Sequence, residues 1–381
     1  MDYRKLGSTG LEVSEIGFGA EWLSGKTTEQ SVELVTHVAR QGVNLVDCWM
    51  ADPVVRRNLA AGVCLDRAHW IVQGHFGSTW QDGQYVRTRD MDEVVPSWEF
   101  LLDCFGGHIE LGMVHYVDRL DELESIVAGP FLAYVKAERA AGHIDHVGIS
   151  THAPQVAQAA AESGEFEVIM FSVNPAFDLM PAGVELEELF DESSYRAGLD
   201  GIDDARARLY ATCEERDVGI TVMKPFAGGR LLDARRSPFG IALSPAQCLH
   251  YALTRPAVAS VLPGFGTVAE ADGCLSYETA TDVECDYASA LAGAPRNSYR
   301  GACTYCGHCQ PCTAGIDIAT VNKFADLAAM HDGVPASTRE HYRSLDRHAS
   351  DCTGCRACEP NCPFGVRIAD KMTRTAELFG F

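Results

Sequence analysis

Eight short apolar runs punctuate the first two thirds of the chain, and amphipathic stretches separate them. The runs cover residues 16–19, 44–49, 70–75, 111–117, 147–150, 168–173, 220–223 and 260–263. Each is too short for a helix and nearly continuous in apolar residues, as strands buried on both faces are. Residues 28–40, 91–105, 123–140 and 245–253 instead carry apolar side chains three or four apart, which gathers them on one face of a helix. Ahead of the first run, Gly7-Ser8-Thr9-Gly10 reads as the turn of an N-terminal hairpin. Strand-helix alternation repeated eight times predicts an α/β fold, a parallel sheet closed into a (β/α)8 TIM barrel with function at the carboxyl ends of its strands. A doubly wound open sheet alternates in the same way, so the count alone leaves that fold open.

Past Ala294 the pattern changes, dividing the chain into a barrel over 1–293 and a small second domain over 294–381. Ile318, Val321, Phe324, Ala325 and Ala328 keep helical spacing and no alternating strand appears, so this domain is expected to be mainly helical. Cysteines crowd into it. Cys303, Cys306, Cys309 and Cys312 stand at C-x2-C-x2-C-x2-C, and Cys352, Cys355, Cys358 and Cys362 at C-x2-C-x2-C-x3-C before Pro363. The second run is the ferredoxin pattern for a 4Fe-4S cluster, in which the fourth cysteine crosses to the other cluster. The expected groups are therefore Cys303, Cys306, Cys309 with Cys362, and Cys352, Cys355, Cys358 with Cys312. The first run is one residue shorter before its last cysteine and lacks the proline. Zinc is the rival, since C-x2-C pairs also build tetrahedral sites, but zinc takes two pairs where each group here is a triplet plus one. Cys48, Cys64, Cys104, Cys213, Cys248, Cys274 and Cys285 show no ligand spacing and read as packing residues. His308, His331, His341 and His348 read as surface residues or neighbours of the clusters.

Charge and cysteine count narrow the partners. A net charge of -22 repels phosphate backbones, which argues against nucleic acid and leaves room for an electron-donor protein of basic character. No apolar run approaches the ~20 residues of a membrane span, and Met1-Asp2-Tyr3-Arg4-Lys5 has no signal segment. A cytoplasmic, membrane-free protein is expected. Fifteen cysteines in such a protein point to thiolate chemistry over disulfides.

Residues 1 to about 280 resemble an aldo/keto reductase. Tyr3-Arg4-Lys5-Leu6-Gly7-Ser8-Thr9-Gly10-Leu11-Glu12-Val13-Ser14 is similar to the family's opening hairpin, and Val147-Gly148-Ile149-Ser150-Thr151-His152 to its fifth-strand end. Val222-Met223-Lys224-Pro225-Phe226-Ala227-Gly228-Gly229-Arg230-Leu231 is similar to its seventh-strand loop. The whole chain, through Cys303-Thr304-Tyr305-Cys306-Gly307-His308-Cys309 and onward, resembles a branch common in anaerobes that carries a C-terminal ferredoxin-type module with two 4Fe-4S clusters. The resemblance implies the barrel and an oxidoreductase. It implies neither substrate nor mechanism, because one fold hosts many chemistries.

The resemblance places the family's catalytic Asp and His on Asp47 and His115. Its Tyr position falls on Asp52 and its Lys position on His75, so the family's NADPH-dependent carbonyl reduction is not expected. Asp47, His75 and His115 stand at the ends of strands 2, 3 and 4, with Asp52 and Trp49 beside them. Two imidazoles near a carboxylate can move protons near neutral pH, His75 as donor and His115 as orienter of the substrate. The same trio could form a two-His-one-carboxylate metal face, or be a polar remnant without chemistry. Tyr85, Arg87 and Arg89 lie in a long loop after strand 3, where substrate contact or plain solvated polarity would both fit.

Candidate cofactor residues are Gly228, Gly229 and Arg230 after strand 7, and Gly264, Gly266 and Thr267 after strand 8, where barrels bind phosphate. Ser150 matches the family's nicotinamide-site serine, and Asn174 and Lys224 complete the set. Met170 stands where an amide-binding Gln is expected, and no Lys or Arg closely follows Gly264, so NADPH should hold no advantage over NADH. A flavin would suit the change from one-electron clusters to two-electron chemistry. The reading is an iron-sulfur oxidoreductase acting on a small carbonyl-type or unsaturated substrate. A redox-neutral isomerase or lyase with structural clusters, and an electron-transfer subunit, are the alternatives.

Overall fold

All eight apolar runs contribute a strand to one parallel sheet. A computed structural model describes residues 1–191, 194–195, 199, 201–295, 299–330 and 333–381. His331 lies outside them. In chain order the strands are β1 (Tyr3–Lys5), β2 (Glu12–Ser14), β3 (Phe18–Gly19), β4 (Leu45–Cys48), β5 (Ile71–Phe76), β6 (Ser78–Gln81), β7 (Gln84–Arg87), β8 (Ile109–Val114), β9 (Ile144–Thr151), β10 (Val168–Ser172), β11 (Gly219–Met223) and β12 (Val258–Val261). Strands β3, β4, β5, β8, β9, β10, β11 and β12 lie side by side in that order, all parallel. The sheet's edges then meet. Ile16 bridges Val261 and Gly19 bridges Gly264, and the Gly17 N–H donates to the Val261 carbonyl at 2.8 Å. That closure, with sequential strand order, separates a (β/α)8 barrel from an open doubly wound sheet.

The chain divides into two compact units. One comprises Met1–Val173, Asp217–Pro225 and Ala257–Ala280 and holds all twelve strands. Its N-terminal hairpin, β1 paired antiparallel with β2, contributes Leu6 and Val13 to a core shared with Leu45, Leu111, Val168 and Met170 from the sheet. Gly7 permits that approach, because its φ of +50° is left-handed and a Cβ there would stand 2.3 Å from the Gly219 nitrogen. The helices at Thr28–Arg40 and Met91–Cys104 lie where the spacing predicts them. The stretch over 123–140 is two helices instead of one, Leu120–Ala128 and Pro130–Ala140. Pro130 has no N–H to continue the first helix, and extended Gly129 separates them. The loop after β5 holds a hairpin, β6 with β7, turned at Asp82 and Gly83 with φ of +49° and +79°.

The second unit comprises Asn174–Arg216, Phe226–Pro256 and Thr281–Phe381. It contains both cysteine runs and also Asn174–Arg216, Phe226–Pro256 and residues 281–293, all of which precede residue 294. Its described residues form helices and turns, including Pro245–Leu253, Ile318–Ala329, Ala336–Arg343 and Ile368–Phe379. The helix Ile318–Ala329 buries Ile318, Val321, Phe324, Ala325 and Ala328, the apolar face read from spacing. Lys371 reaches Asp326 at 2.6 Å, tying that helix to Ile368–Phe379. The fully buried Asp178 accepts from the hydroxyls of Tyr210 at 2.6 Å and Tyr251 at 2.8 Å. Among the described residues no helix is long and apolar enough to cross a membrane.

Candidate functional site

Parallel pairing brings three of the predicted residues together at the carboxyl ends of adjacent strands. Asp47 lies in β4, His75 in β5, and His115 directly follows β8. His75 is sealed, 2% exposed, and both its ring nitrogens are engaged. Its Nε2 lies 2.8 Å from Asp47 Oδ1 and its Nδ1 lies 2.9 Å from His115 Nδ1. The other His115 nitrogen, Nε2, lies 2.7 Å from the Tyr85 hydroxyl. Trp49 stacks on the His115 ring at 5.8 Å between centroids and meets Tyr85 edge-on at 5.3 Å.

Behind this file a polar layer crosses the barrel. Gln73 donates to Asp47 Oδ1 at 2.7 Å and accepts from Thr221 of β11 at 3.1 Å, a contact between strands that are not neighbours in the sheet. Asp47 Oδ2 is buried with no hydrogen-bond partner. Leaving a buried carboxylate oxygen bare is costly.

Burial, reinforced by the His75 ring and by Arg89, holds His115 well below the ordinary imidazole range. Burial likewise pushes the Tyr85 phenol up to about 12, against the opposing pull of Arg87. His115 is therefore neutral when folded yet free to protonate when unfolded. The unfolded chain binds more protons, so this group's contribution to stability is present above about pH 6.5 and is lost as pH falls below it. Comparing the unfolding free energy of the wild type and His115→Gln by denaturant titration from pH 8 to pH 5 should show the gap narrowing, by at most about 1.4 kcal/mol per pH unit. A constant gap would show that His115 takes up its proton in the folded state.

Asp52 is occupied otherwise. It is the N-cap of the helix Pro53–Val63, its carboxylate accepting from the Val54 N–H at 2.8 Å, with Pro53 at the first helical position. Ser150 Oγ accepts from the Tyr116 N–H at 2.8 Å. Lys224 directly follows β11 in the left-handed region, φ +56°, and burial lowers its ammonium below the ordinary value. In the other unit, Asn174 Oδ1 accepts from the Ala176 and Phe177 N–H groups.

The two glycine loops are also filled from within the chain. Arg230 gives its guanidinium to the carbonyls of Phe190 and Arg236, and Gly228 and Gly229 are left-handed turn residues. At Gly264 a Cβ would stand 2.5 Å from the Trp22 indole, so the glycine accommodates that ring. Thr267 caps the helix Val268–Leu275, and the Gly266 N–H donates to the Glu270 carboxylate at 2.9 Å. A carboxylate thus occupies the N–H that a phosphate oxygen would seek.

The eight cysteines of the two runs line two cavities. Cys303, Cys306, Cys309 and Cys362 surround one, together with Thr304, Tyr305 and Asn322. Cys312, Cys352, Cys355 and Cys358 surround the other, together with Thr313 and Arg356. The unfilled space, open mouths included, is about 320 Å3 in the first and about 390 Å3 in the second. Two groups already donate toward sulfur, Asn322 Nδ2 to Cys303 and the Val366 N–H to Cys362, each at 3.5 Å, and Thr313 Oγ1 lies 3.4 Å from Cys355 with either atom able to donate. Among the described residues no group of His, Cys, Asp or Glu is drawn together tightly enough to hold a metal ion.

Tyr85 joins the site from the long loop after β5. The signal that places it is Asp82-Gly83 between alternating residues, the mark of a two-residue hairpin turn. The hairpin carries Tyr85 back over the strand ends.

Comparison with known proteins bears on the fold. No protein-family model matches the chain, and no curated sequence does. Among solved structures, an aldo-keto reductase of Bacillus halodurans in its holo form is similar, with a TM-score of 0.57 and 17% identity, over 74% of this chain and 92% of that one. A Pseudomonas aeruginosa protein assigned to the aldo-keto reductases is similar with a TM-score of 0.54 and 20% identity, over 72% of this chain and 94% of that one. At such identities the likeness is one of fold.

Proposed function

We propose that this protein is an iron-sulfur oxidoreductase of aldo-keto reductase type, acting on a small carbonyl-type or unsaturated compound at the barrel mouth. In this reading residues 294–381 are a ferredoxin-type module. The observation that carries it is the lining of the two cavities, each by three thiols of one cysteine run and the last cysteine of the other. That is the crossed arrangement of a paired 4Fe-4S motif. Bound clusters would supply electrons one at a time. The Asn322 amide and the Val366 N–H, donating to cysteine sulfur, would disperse thiolate charge and ease reduction. At the barrel, Asp47, His75 and His115 supply proton transfer, with Gln73 fixing the Asp47 oxygen that faces His75. A nucleotide is not required by this reading, and the Glu270 carboxylate at Gly266 weighs against a dinucleotide phosphate on that loop.

The test is composition. Protein purified without oxygen should contain roughly eight irons and as many acid-labile sulfides per chain, by two four-iron clusters. Two zinc ions and no sulfide would overturn the assignment.

A further inference from the structure

Asp47, His75, His115 and Tyr85 form an unbroken file in which each imidazole is bonded at both nitrogens, at 2.8, 2.9 and 2.7 Å in turn. With Asp47 ionised, Tyr85 a phenol and His115 neutral, two arrangements of hydrogens keep every link of the file bonded. In the first, Tyr85 donates to His115 Nε2, His115 Nδ1–H donates to His75 Nδ1, and His75 Nε2–H donates to Asp47, with both rings neutral. In the second, one further proton is aboard. His75 then carries hydrogen on both nitrogens against the Asp47 carboxylate, His115 donates from Nε2 to the Tyr85 oxygen, and the Tyr85 O–H is turned outward.

We propose that these four residues are a proton relay that stores one proton on His75 beside Asp47 and releases it through the Tyr85 hydroxyl, making Tyr85 the catalytic residue that protonates the substrate. Asp47, His75 and His115 act through it as positioning residues. The step balances without any electron moving. As Tyr85 gives its proton to a substrate oxygen or carbanion, its oxygen takes the Nε2 proton of His115, and His115 Nδ1 takes the Nδ1 proton of His75. Three bonds to hydrogen break and three form, His75 loses its charge, and no ring has to turn. Uptake of one proton restores the stored state.

The surroundings decide where the proton waits. Around His115 stand His75, His152, Arg87 and Arg89, all cationic or able to become so, so a charge there is opposed from β5, the hairpin and the loop after β9. His75 instead meets a carboxylate, and Glu21, close enough to feel the Asp47 charge, is drawn to Lys224. Tyr85 is half-buried, whereas His75 is sealed and His115 has both nitrogens engaged, which leaves the phenol as the outlet.

The inference deepens the proton-transfer half of the proposed function and is independent of the clusters. Full-length protein labelled with 15N in histidine and 13C at the tyrosine ζ carbon would be titrated by NMR between about pH 5 and pH 9, around the imidazole range. One step with one midpoint should move His75, His115 and Tyr85 together. His115 should pass from Nδ1–H to Nε2–H without becoming imidazolium. His75→Gln should abolish the step at the other two, and Tyr85→Phe assigns the tyrosine signal. A His115 that becomes charged, separate midpoints, a stationary Tyr85 signal, or no step at all would overturn the relay. Iron and sulfide measured on the same sample judge the cluster reading separately, since neither result alters the other.

Discussion

Replacing His75 by Gln should lower turnover by roughly 10^2- to 10^4-fold, the usual contribution of a positioned acid or base. Gln keeps much of the size and a hydrogen bond to Asp47 but holds no titrating proton. Tyr85→Phe should cost about as much, because it closes the outlet and leaves the ring packed against Trp49. The double variant should fall little further than either single one, since groups that act as a unit are far from additive. Asp47→Asn should lower activity as well, by removing the anion that faces His75. The measurement is kcat for a small carbonyl or unsaturated substrate with a chemically reduced low-potential donor, alongside iron content and Tm to show that fold and clusters survive. Multiplicative losses in the double variant would mean that the two side chains work separately. Wild-type turnover by His75→Gln would mean that the polar file carries no catalysis.

Much of this site is legible in the sequence, for identifiable reasons. Consecutive strands of a barrel are neighbours, so residues that end strands 2, 3 and 4 must converge, and Asp47, His75 and His115 do. Roles were harder to read than positions. That His75 faces Asp47 with one nitrogen and His115 with the other depends on ring orientation, which spacing does not encode. The division into a donating His75 and a substrate-orienting His115 gives way to a file in which neither ring has a spare nitrogen. Asp52 could have been recognised as a helix cap, since Asp followed by Pro at a helix start is a strong local signal. Gly264 and Arg230 looked like phosphate binders because glycines and arginine serve that purpose, yet what Trp22, Glu270 and the Phe190 carbonyl do beside them is a tertiary matter. The cysteine grouping, by contrast, is read from the paired ferredoxin pattern, whose fourth cysteine crosses to the other cluster. Two-residue spacers let three thiols face one centre, and the fourth must be borrowed.

Cys306→Ala and Cys355→Ala should each cost the protein about four of its roughly eight irons, one cluster's worth, because each removes a thiol from a different cavity. Their effects on stability should differ. Around Cys306 the chain is built into the second unit's interior: the Thr304 carbonyl accepts from Arg255 and, at 2.6 Å, from the Tyr287 hydroxyl. The Arg255 guanidinium lies over the Tyr251 ring at 4.5 Å. Losing the cluster there exposes a buried wall that carries a charged group, so the local fold should loosen with it. Cys355 sits in an exposed turn beside Arg356, whose partners Glu359 and Asp370 are held without help from the cavity. Metal binding is coupled to folding, so a lost cluster costs folding free energy. Cys306→Ala should therefore lower Tm more than Cys355→Ala, by roughly 2 to 4 °C for each kcal/mol lost. Iron and sulfide analysis with thermal unfolding under anaerobic conditions reads both effects. Retention of all iron by either variant would remove that cysteine from the ligand set, and equal Tm losses would place both cavities in equally structured parts of the unit.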